Sequence, residues 1–135
     1  MKLTELIKNL TPLKINGKSD IGINKIEYDS RKVTQNDVFV AIRGYKTDGH
    51  KYIEQAVKNG AAAVIAEEHT ENIEACEIIV DNTRRALSLA AATYYGEPAK
   101  KMKLIGVTGT NGKTTTTYLV KSVLEFTGHK VGLIG

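Results

Sequence analysis

The chain has 135 residues, and 41% of them are hydrophobic, which is enough to bury one core but too little for a large multidomain enzyme. Its 19 basic and 15 acidic side chains alternate along the sequence and leave a net charge of +4. The chain therefore lacks the basic block with which proteins grip nucleic acid. Cys76 is the only cysteine, which excludes an internal disulfide and a cysteine-based metal cluster.

The N-terminus carries apolar residues at helical spacing. Leu3, Leu6, Ile7 and Leu10 recur with the period of an amphipathic helix, whereas a secretion signal has a continuous apolar run. No stretch approaches the ~20 apolar residues that are needed to cross a bilayer. We therefore expect a cytoplasmic protein that does not bind membranes.

Strand-like and helix-like segments alternate after this helix, which we expect to end near Pro12. The strand-like segments are short apolar runs at residues 23–28, 38–42, 61–66 and 77–80. Helices are predicted over 49–59, ended by Gly60, and from Asn82 to the Gly96 and Pro98 stop. Because parallel strands need a crossover connection, the alternation predicts an α/β fold with a mixed or largely parallel sheet and flanking helices.

A domain boundary is predicted at residues 96–101, which gives an N-terminal domain over 1–98 and the start of a second domain over 99–135. The second segment has the pattern of a strand at 103–107, a Gly/Thr-rich turn, a helix at 113–126 and a strand at 131–134. A single β-α-β unit cannot bury both of its faces. We therefore expect the chain to be an N-terminal fragment of a longer protein.

The turn at residues 106–115, which reads GVTGTNGKTT, has the features of a phosphate loop. Glycines allow the backbone N–H groups to face phosphate oxygens, and the helix N-terminus adds positive potential. Lys113 is the expected catalytic contact to the β- and γ-phosphates of ATP, and the Thr114 hydroxyl is the expected ligand of Mg²⁺. The nucleotide-binding residues predicted from this pattern are Gly109, Thr110, Asn111, Gly112, Lys113, Thr114 and Thr115.

This loop departs from the strict phosphate-loop pattern at one position. The pattern G-x-x-x-x-G-K-[ST] has glycine five places before Gly112, where this chain has Val107. The competing interpretation is a glycine-rich turn followed by an ordinary surface lysine.

A second candidate site follows the first predicted strand, where the chain reads Asp29-Ser30-Arg31. The carboxyl end of a strand in an α/β sheet is where ligands bind, and arginine pairs well with phosphate. The same tripeptide also fits a plain turn in which Asp29 accepts a hydrogen bond from a backbone N–H. From the tripeptide alone, the plain turn is the favoured interpretation.

Several segments together resemble the Mur ligase family. The loop at 108–115 reads TGTNGKTT, a form of the phosphate loop in which this family tolerates the missing glycine. The other similar segments are DSR at 29–31, DVFVA at 37–41, DGHKYI at 48–53, DNTR at 81–84 and YGEP at 95–98. The resemblance covers nearly the whole chain, from about residue 23 onward.

The resemblance implies an ATP-dependent amide ligase of peptidoglycan precursor synthesis, in particular one that adds a diamino acid, meso-diaminopimelate or L-lysine. In this family, ATP converts the glutamate carboxylate of UDP-N-acetylmuramoyl-L-alanyl-D-glutamate into an acyl phosphate, which the amine of the diamino acid attacks. ATP and Mg²⁺ are the implied cofactors, and we expect a monomer. The family's remaining catalytic groups would lie beyond Gly135, so we expect this chain to be inactive alone.

The resemblance also implies which residues bind the UDP-linked substrate. Ser30 corresponds to a residue that hydrogen-bonds the UDP moiety, with Tyr28 beside it. A family segment that often reads His-Gln-Ala is replaced here by 45–47, in which a lysine can approach the diphosphate. The complete predicted set is Tyr28, Ser30, Arg31, Tyr45, Lys46 and Thr47.

Three other functions are alternatives to this ligase. A Mur ligase that adds a dipeptide has the same chemistry, but its loop usually has serine where Thr110 stands. A non-catalytic nucleotide-binding module would need no continuation of the chain. A GTPase would need the guanine-reading Asn-Lys-x-Asp motif, which the sequence lacks.

The remaining polar candidates have structural interpretations. His50, His69 and His129 lack metal-ligand spacing, and we interpret them as surface or capping residues. Arg84 begins a predicted helix near the domain boundary, where it can steer phosphate, although a solvated side chain is the simpler interpretation.

Overall fold

The computed structural model of this chain describes residues 1–44 and 47–134. The chain divides into two compact units, Met1–Lys101 and Met102–Gly135, which we call the N-terminal unit and the C-terminal unit. No helix among the described residues is both long and apolar enough to span a membrane.

The N-terminal unit is built on one five-stranded sheet with the order β1-β5-β4-β3-β2. Strands β2 to β5 run parallel, and β1 is antiparallel to β5 at the edge. Its elements in chain order are α1 (Leu3–Leu6) with a 3₁₀ turn (Ile7–Asn9), β1 (Lys14–Asn16), β2 (Ile26–Glu27), a 3₁₀ turn (Ser30–Lys32), β3 (Asp37–Val40), a 3₁₀ turn (Gly49–Tyr52), α2 (Ile53–Lys58), β4 (Ala61–Ala66), β5 (Cys76–Ile79), α3 (Thr83–Tyr94) and a 3₁₀ turn (Pro98–Lys101).

Helices cover both faces of this sheet and create two cores. On one face, α1 and α3 pack against alternating strand residues such as Val38, Ala63 and Ile78. On the other face, α2 packs against the residues between them, including Phe39 and Val64. Because both faces are covered, the central strands are continuous apolar runs and not alternating ones, as is typical of parallel sheets.

Local sequence signals position the helices at the carboxyl edge of the sheet. The Asn82 side chain accepts a hydrogen bond from the Arg85 N–H at 2.9 Å and so caps α3. Asp48 caps the 3₁₀ turn before α2 in the same way, through the His50 N–H. At the other end of α2, Gly60 adopts a φ of 110°, a conformation that favours glycine. These caps fix where the loops after β3 and β5 lie.

The α/β fold predicted from the sequence is confirmed, with two differences in the N-terminal unit. Strand β1 was not predicted; it is an edge strand of three residues in which only Ile15 is apolar. The first strand, predicted over 23–28, is shortened to β2 because only Ile26 and Glu27 pair with β3. Short edge strands have little hydrophobic pattern, which explains both differences.

In the C-terminal unit, α4 (Lys113–Phe126) is the only regular element among residues 102–134. The helix confirms the prediction for 113–126, but the structure contradicts the strands predicted at 103–107 and 131–134. A strand is stabilised by hydrogen bonds to a neighbouring strand, and none is formed within this unit. Leu104 and Ile105 are accordingly 72% and 61% exposed.

Candidate functional site

An open cleft of about 720 Å³ lies at the carboxyl edge of the sheet in the N-terminal unit. The carboxyl ends of parallel strands are the usual ligand-binding position in α/β sheets. Segments that follow β2 and β3 and the beginning of α2 form its walls. The lining residues are Tyr28, Asp29, Ser30, Arg31, Phe39, Ile42, Gly44, Thr47, Gly49, Tyr52 and Gln55.

The turn after β2 forms one wall of the cleft. Asp29 accepts hydrogen bonds from the Arg31 backbone N–H at 3.1 Å and from the Arg31 Nε and Nη2 atoms at 2.9 and 2.8 Å. The side-chain hydrogen bonds from Arg31 are the main reason why the pKa of Asp29 is lowered to about 2. The plain-turn interpretation is therefore correct for Asp29, although the turn also lines the cleft.

Ser30 sits in this turn and is nearly buried, with 7% of its surface exposed. Its carbonyl oxygen accepts a 2.8 Å hydrogen bond from the Asn59 side chain, which ties the turn to the end of α2. Tyr28 lies beside it and is 67% exposed. A polar hydroxyl and an aromatic ring thus occupy the same wall, where they can contact a nucleotide.

The connection between β3 and α2 forms the opposite wall. The Gly44 N–H donates to the Thr47 carbonyl at 3.0 Å, and the Gly49 N–H donates to the Ile42 carbonyl at 2.8 Å. Arg43 and Asp48 face each other across this connection as an antiparallel bridge. We call residues 42–44 and 47–49 together the cleft hairpin.

The structure brings four of the six predicted substrate-binding residues to one cleft. Tyr28, Ser30, Arg31 and Thr47 all line it. Tyr45 and Lys46 lie outside the described residues. The Arg31 guanidinium binds Asp29 through its Nε and Nη2 atoms, so only the remaining part of the group is available to bind a phosphate.

A polar network beside the cleft was not predicted. His50 receives a 2.9 Å hydrogen bond at Nε2 from the backbone N–H of Glu67, and its Nδ1 lies 2.7 Å from Asp48 Oδ1. Glu67 in turn accepts hydrogen bonds of 3.0 Å from both the N–H and the hydroxyl of Thr83, the first residue of α3. The sequence interpretation of His50 as a surface or capping residue is therefore incomplete.

Arg43 offsets part of the negative charge in this network. Its Nη2 lies 2.6 Å from Glu68 Oε1, and its other nitrogens lie 3.6 and 3.7 Å from carboxylate oxygens of Asp48 and Glu67. The pKa of Asp48 is lowered by its hydrogen bonds with His50, and that of Glu67 by its hydrogen bond with the Thr83 N–H. Arg84, on α3, donates to the Arg43 carbonyl at 3.2 Å.

The phosphate loop lies in the C-terminal unit and is solvent-exposed from Gly109 to Thr115. Gly112 has a φ of 73° and immediately precedes α4, so the backbone enters the helix through a left-handed turn. The Lys113 ammonium group donates to the Gly109 carbonyl at 2.6 Å and therefore lies across the loop. Loop, lysine and helix N-terminus are together, as a triphosphate site requires.

The hydroxyl-bearing residues of the first turn complete this arrangement. Thr114 and Thr115 follow Lys113 directly and are exposed, while the first intrahelical bond runs from the Thr116 N–H to Gly112. The N–H groups of the three helix residues before Thr116 therefore have no acceptor within the helix. The exposed loop fits a nucleotide phosphate with Mg²⁺, since hydroxyl and phosphate oxygens are ligands that this ion accepts.

Comparison with known proteins gives matches over both units. The model of the Mur ligase family, catalytic domain, matches residues 22–95, and that of the Mur ligase middle domain matches 107–135. A UDP-N-acetylmuramoyl-L-alanyl-D-glutamate--2,6-diaminopimelate ligase from Clostridium tetani is 51% identical over all of this chain and 29% of its own length. The chain thus spans under a third of that relative.

Solved structures give the same result. A structure of a UDP-N-acetylmuramoyl-L-alanyl-D-glutamate--2,6-diaminopimelate ligase is 27% identical, with a TM-score of 0.70 over all of this chain and 27% of that one. The MurF ligase from Thermotoga maritima in complex with ADP is 34% identical, with a TM-score of 0.55 over 76% of this chain and 23% of that one.

The first of the two family models alone covers more than half of the chain. The resemblance found in the sequence is therefore confirmed, and the chain belongs to the Mur ligase family.

Proposed function

We propose that this chain is the N-terminal part of an ATP-dependent ligase that adds a diamino acid to UDP-N-acetylmuramoyl-L-alanyl-D-glutamate in peptidoglycan precursor synthesis. The observation that carries the proposal is the 51% identity, over the whole chain, to a ligase named for 2,6-diaminopimelate. That name favours diaminopimelate over L-lysine as the added amino acid. The activity is that of a complete ligase, of which this chain corresponds to less than a third.

The two units take different parts in the proposed reaction. The cleft of residues 1–98 binds the UDP part of the substrate, through the Ser30 hydroxyl, the Tyr28 ring and the outward part of the Arg31 guanidinium. The cleft hairpin, with Thr47, forms the other side, and Tyr45 and Lys46 remain predicted contacts to the substrate. A volume of about 720 Å³ is in the range of small-molecule sites.

Residues 99–135 begin the ATP-binding domain in this proposal. The N–H groups at the start of α4 and the Lys113 ammonium group bind the phosphates, because both place positive charge where the phosphate oxygens lie. Thr114 would hold Mg²⁺, which would supply neutralisation of the charge on the transferred phosphate. A Mur ligase structure similar to this chain contains ADP, which supports nucleotide binding here.

In the proposed reaction, the terminal phosphate of ATP is transferred to the glutamate carboxylate, and ADP leaves. The amine of diaminopimelate then attacks the acyl phosphate, so that an amide forms and inorganic phosphate is released. The chain's own residues bind and orient both reactants, a contribution that raises rate by fixing their geometry.

The UDP site is tested by calorimetry of the chain with UDP-N-acetylmuramoyl-L-alanyl-D-glutamate. Ser30→Ala should weaken binding about fivefold, the cost of one hydrogen bond. Ser88→Ala removes an exposed hydroxyl from α3 and should leave affinity unchanged. Equal affinities of the two variants would exclude Ser30 from the site.

The nucleotide site is tested separately with Mg-ATP. Lys113→Ala should weaken binding roughly 10- to 100-fold, because a charge-assisted contact is lost. Lys121→Ala, two turns along the same helix, is the matched control. Binding of Mg-ATP without any binding of the UDP-linked dipeptide would favour the nucleotide-binding module over the ligase.

A further inference from the structure

His50 connects two parts of the N-terminal unit that are distant in sequence. Its side chain is only 12% exposed, and it lies between Asp48, in the cleft hairpin, and the backbone of Glu67, which directly follows β4. The hydrogen bond from the Glu67 N–H spans 17 residues of sequence. His50 therefore attaches the hairpin side of the cleft to the centre of the sheet.

These two contacts specify the chemical form of the imidazole. Because a backbone N–H can only donate, Nε2 must be the unprotonated acceptor. The proton of the neutral ring is then on Nδ1, from which it is donated to Asp48 at 2.7 Å. A doubly protonated ring has no acceptor for the Glu67 N–H.

Other hydrogen bonds connect His50 to the cleft wall. Asp48 accepts from the His50 N–H at 3.0 Å and caps the turn that begins at Gly49. Gly49 is itself bonded to Ile42, and both line the cleft. Releasing His50 from β4 therefore loosens the wall that Gly44 and Thr47 complete.

We propose that His50 is a positioning residue for the substrate cleft, which in its neutral form holds the cleft hairpin against the end of β4 through the Glu67 N–H. This role rests on the proposed function, because the cleft is there assigned to the UDP-linked substrate. His50 does not line the cleft itself. Its contribution is to substrate affinity and not to the chemical step.

Protonation of His50 is the expected way to disrupt this contact. The charged groups that face it are Asp48 on its own turn, Glu67 at the end of β4 and Arg43 on the hairpin. Hydrogen bonding lowers the pKa of both carboxyl groups.

Substitution of His50 by glutamine or by asparagine, which are of similar size, distinguishes the two side-chain contacts of His50. Glutamine places an amide oxygen near the position of Nε2 and can accept from the Glu67 N–H, whereas the shorter asparagine can only replace Nδ1 as a donor to Asp48. We measure their dissociation constants for UDP-N-acetylmuramoyl-L-alanyl-D-glutamate by calorimetry, beside the unsubstituted chain, at about pH 8. Thermal unfolding verifies that each variant is folded.

The expected result is that His50→Asn binds about tenfold more weakly at pH 8, while His50→Gln stays within about threefold of the unsubstituted chain. In the same sample, ¹⁵N NMR of the ring should show Nδ1 protonated and Nε2 unprotonated at pH 8.

Three results would overturn the proposal. Equal affinity of the asparagine and glutamine variants would show that the Glu67 contact does not position the cleft. A ring protonated at Nε2 would contradict the hydrogen bond itself. If the unsubstituted chain did not bind the substrate, the proposed UDP site would fail first, and the role of His50 in it would fail with it.

Discussion

Gly49→Ala should destabilise the N-terminal unit, because no space exists for a side chain at this position. A Cβ atom there would lie 2.7 Å from the Ile42 nitrogen, 2.8 Å from the Ile42 oxygen and 3.0 Å from the Ala41 carbonyl carbon. All three are backbone atoms, so no side-chain rotation relieves the contacts. Carbon contacts are favourable at about 3.5 Å or more, so the hairpin must retreat by about 0.8 Å.

The cost follows from two terms. Overpacking against rigid backbone costs about 1–3 kcal/mol, and the 2.8 Å hydrogen bond from Gly49 to Ile42, worth about 1 kcal/mol, is lost as the strands separate. We expect a loss of about 2–4 kcal/mol, which in a domain of this size lowers the midpoint of thermal unfolding by roughly 8 °C or more. The same displacement should weaken substrate binding, since Gly49 lines the cleft.

Circular dichroism melts of the chain provide the measurement, and Gly22→Ala provides the control. A Cβ atom at Gly22 would meet nothing within 4 Å, so this variant should remain within about 0.5 kcal/mol of the unsubstituted chain. If Gly49→Ala melted at the same temperature as Gly22→Ala, the tight approach of Gly49 to Ile42 would not exist in the protein.

Two further predictions concern carboxyl groups. Glu77 is 1% exposed, and although its burial alone would raise its pKa, hydrogen bonds from His69, Asn16 and the Thr70 N–H lower it below the usual 4.5. The stabilisation that the ionised Glu77 contributes to the folded state is therefore complete above about pH 4.5 and is lost as the pH falls through the lowered pKa of the folded state. Glu77→Gln should flatten the fall of stability with decreasing pH, and the surface substitution Glu71→Gln should not. For Asp29, NMR titration should give a pKa of about 2, and Arg31→Ala should return it toward 3.8; an unchanged value would contradict the pairing of these two side chains.

The sequence was sufficient where the signal is local. The helix that begins at Lys113 was predicted correctly from the spacing of neighbouring residues, while the binding of phosphate by Gly112 and Lys113 stays a prediction. The same is true of Asp29, whose partner Arg31 lies two residues away. In each case the chain needs no tertiary contact to bring the groups together.

The sequence was insufficient where partners come from separate elements. Glu67 is bonded to Thr83 and His50, which are 16 and 17 residues away, and only the parallel pairing of β3, β4 and β5 places them at one edge. Because His50 and Glu67 have no distinctive spacing, they resemble ordinary surface residues in the sequence. One signal was available: Asp48 and His50 follow a predicted buried strand, at the edge where ligands bind.

The failure of the two predicted strands in the C-terminal unit has the same physical origin. Apolar residues at 103–107 have the correct composition for a strand, but a strand also requires a partner to receive its hydrogen bonds. The helix α4 needs no such partner, since its backbone bonds are internal, and it is formed although Leu119 and Val123 are each 63% exposed. We therefore expect that a neighbouring strand supplied to this unit would convert residues 103–107 into a strand and would leave the backbone of α4 unchanged.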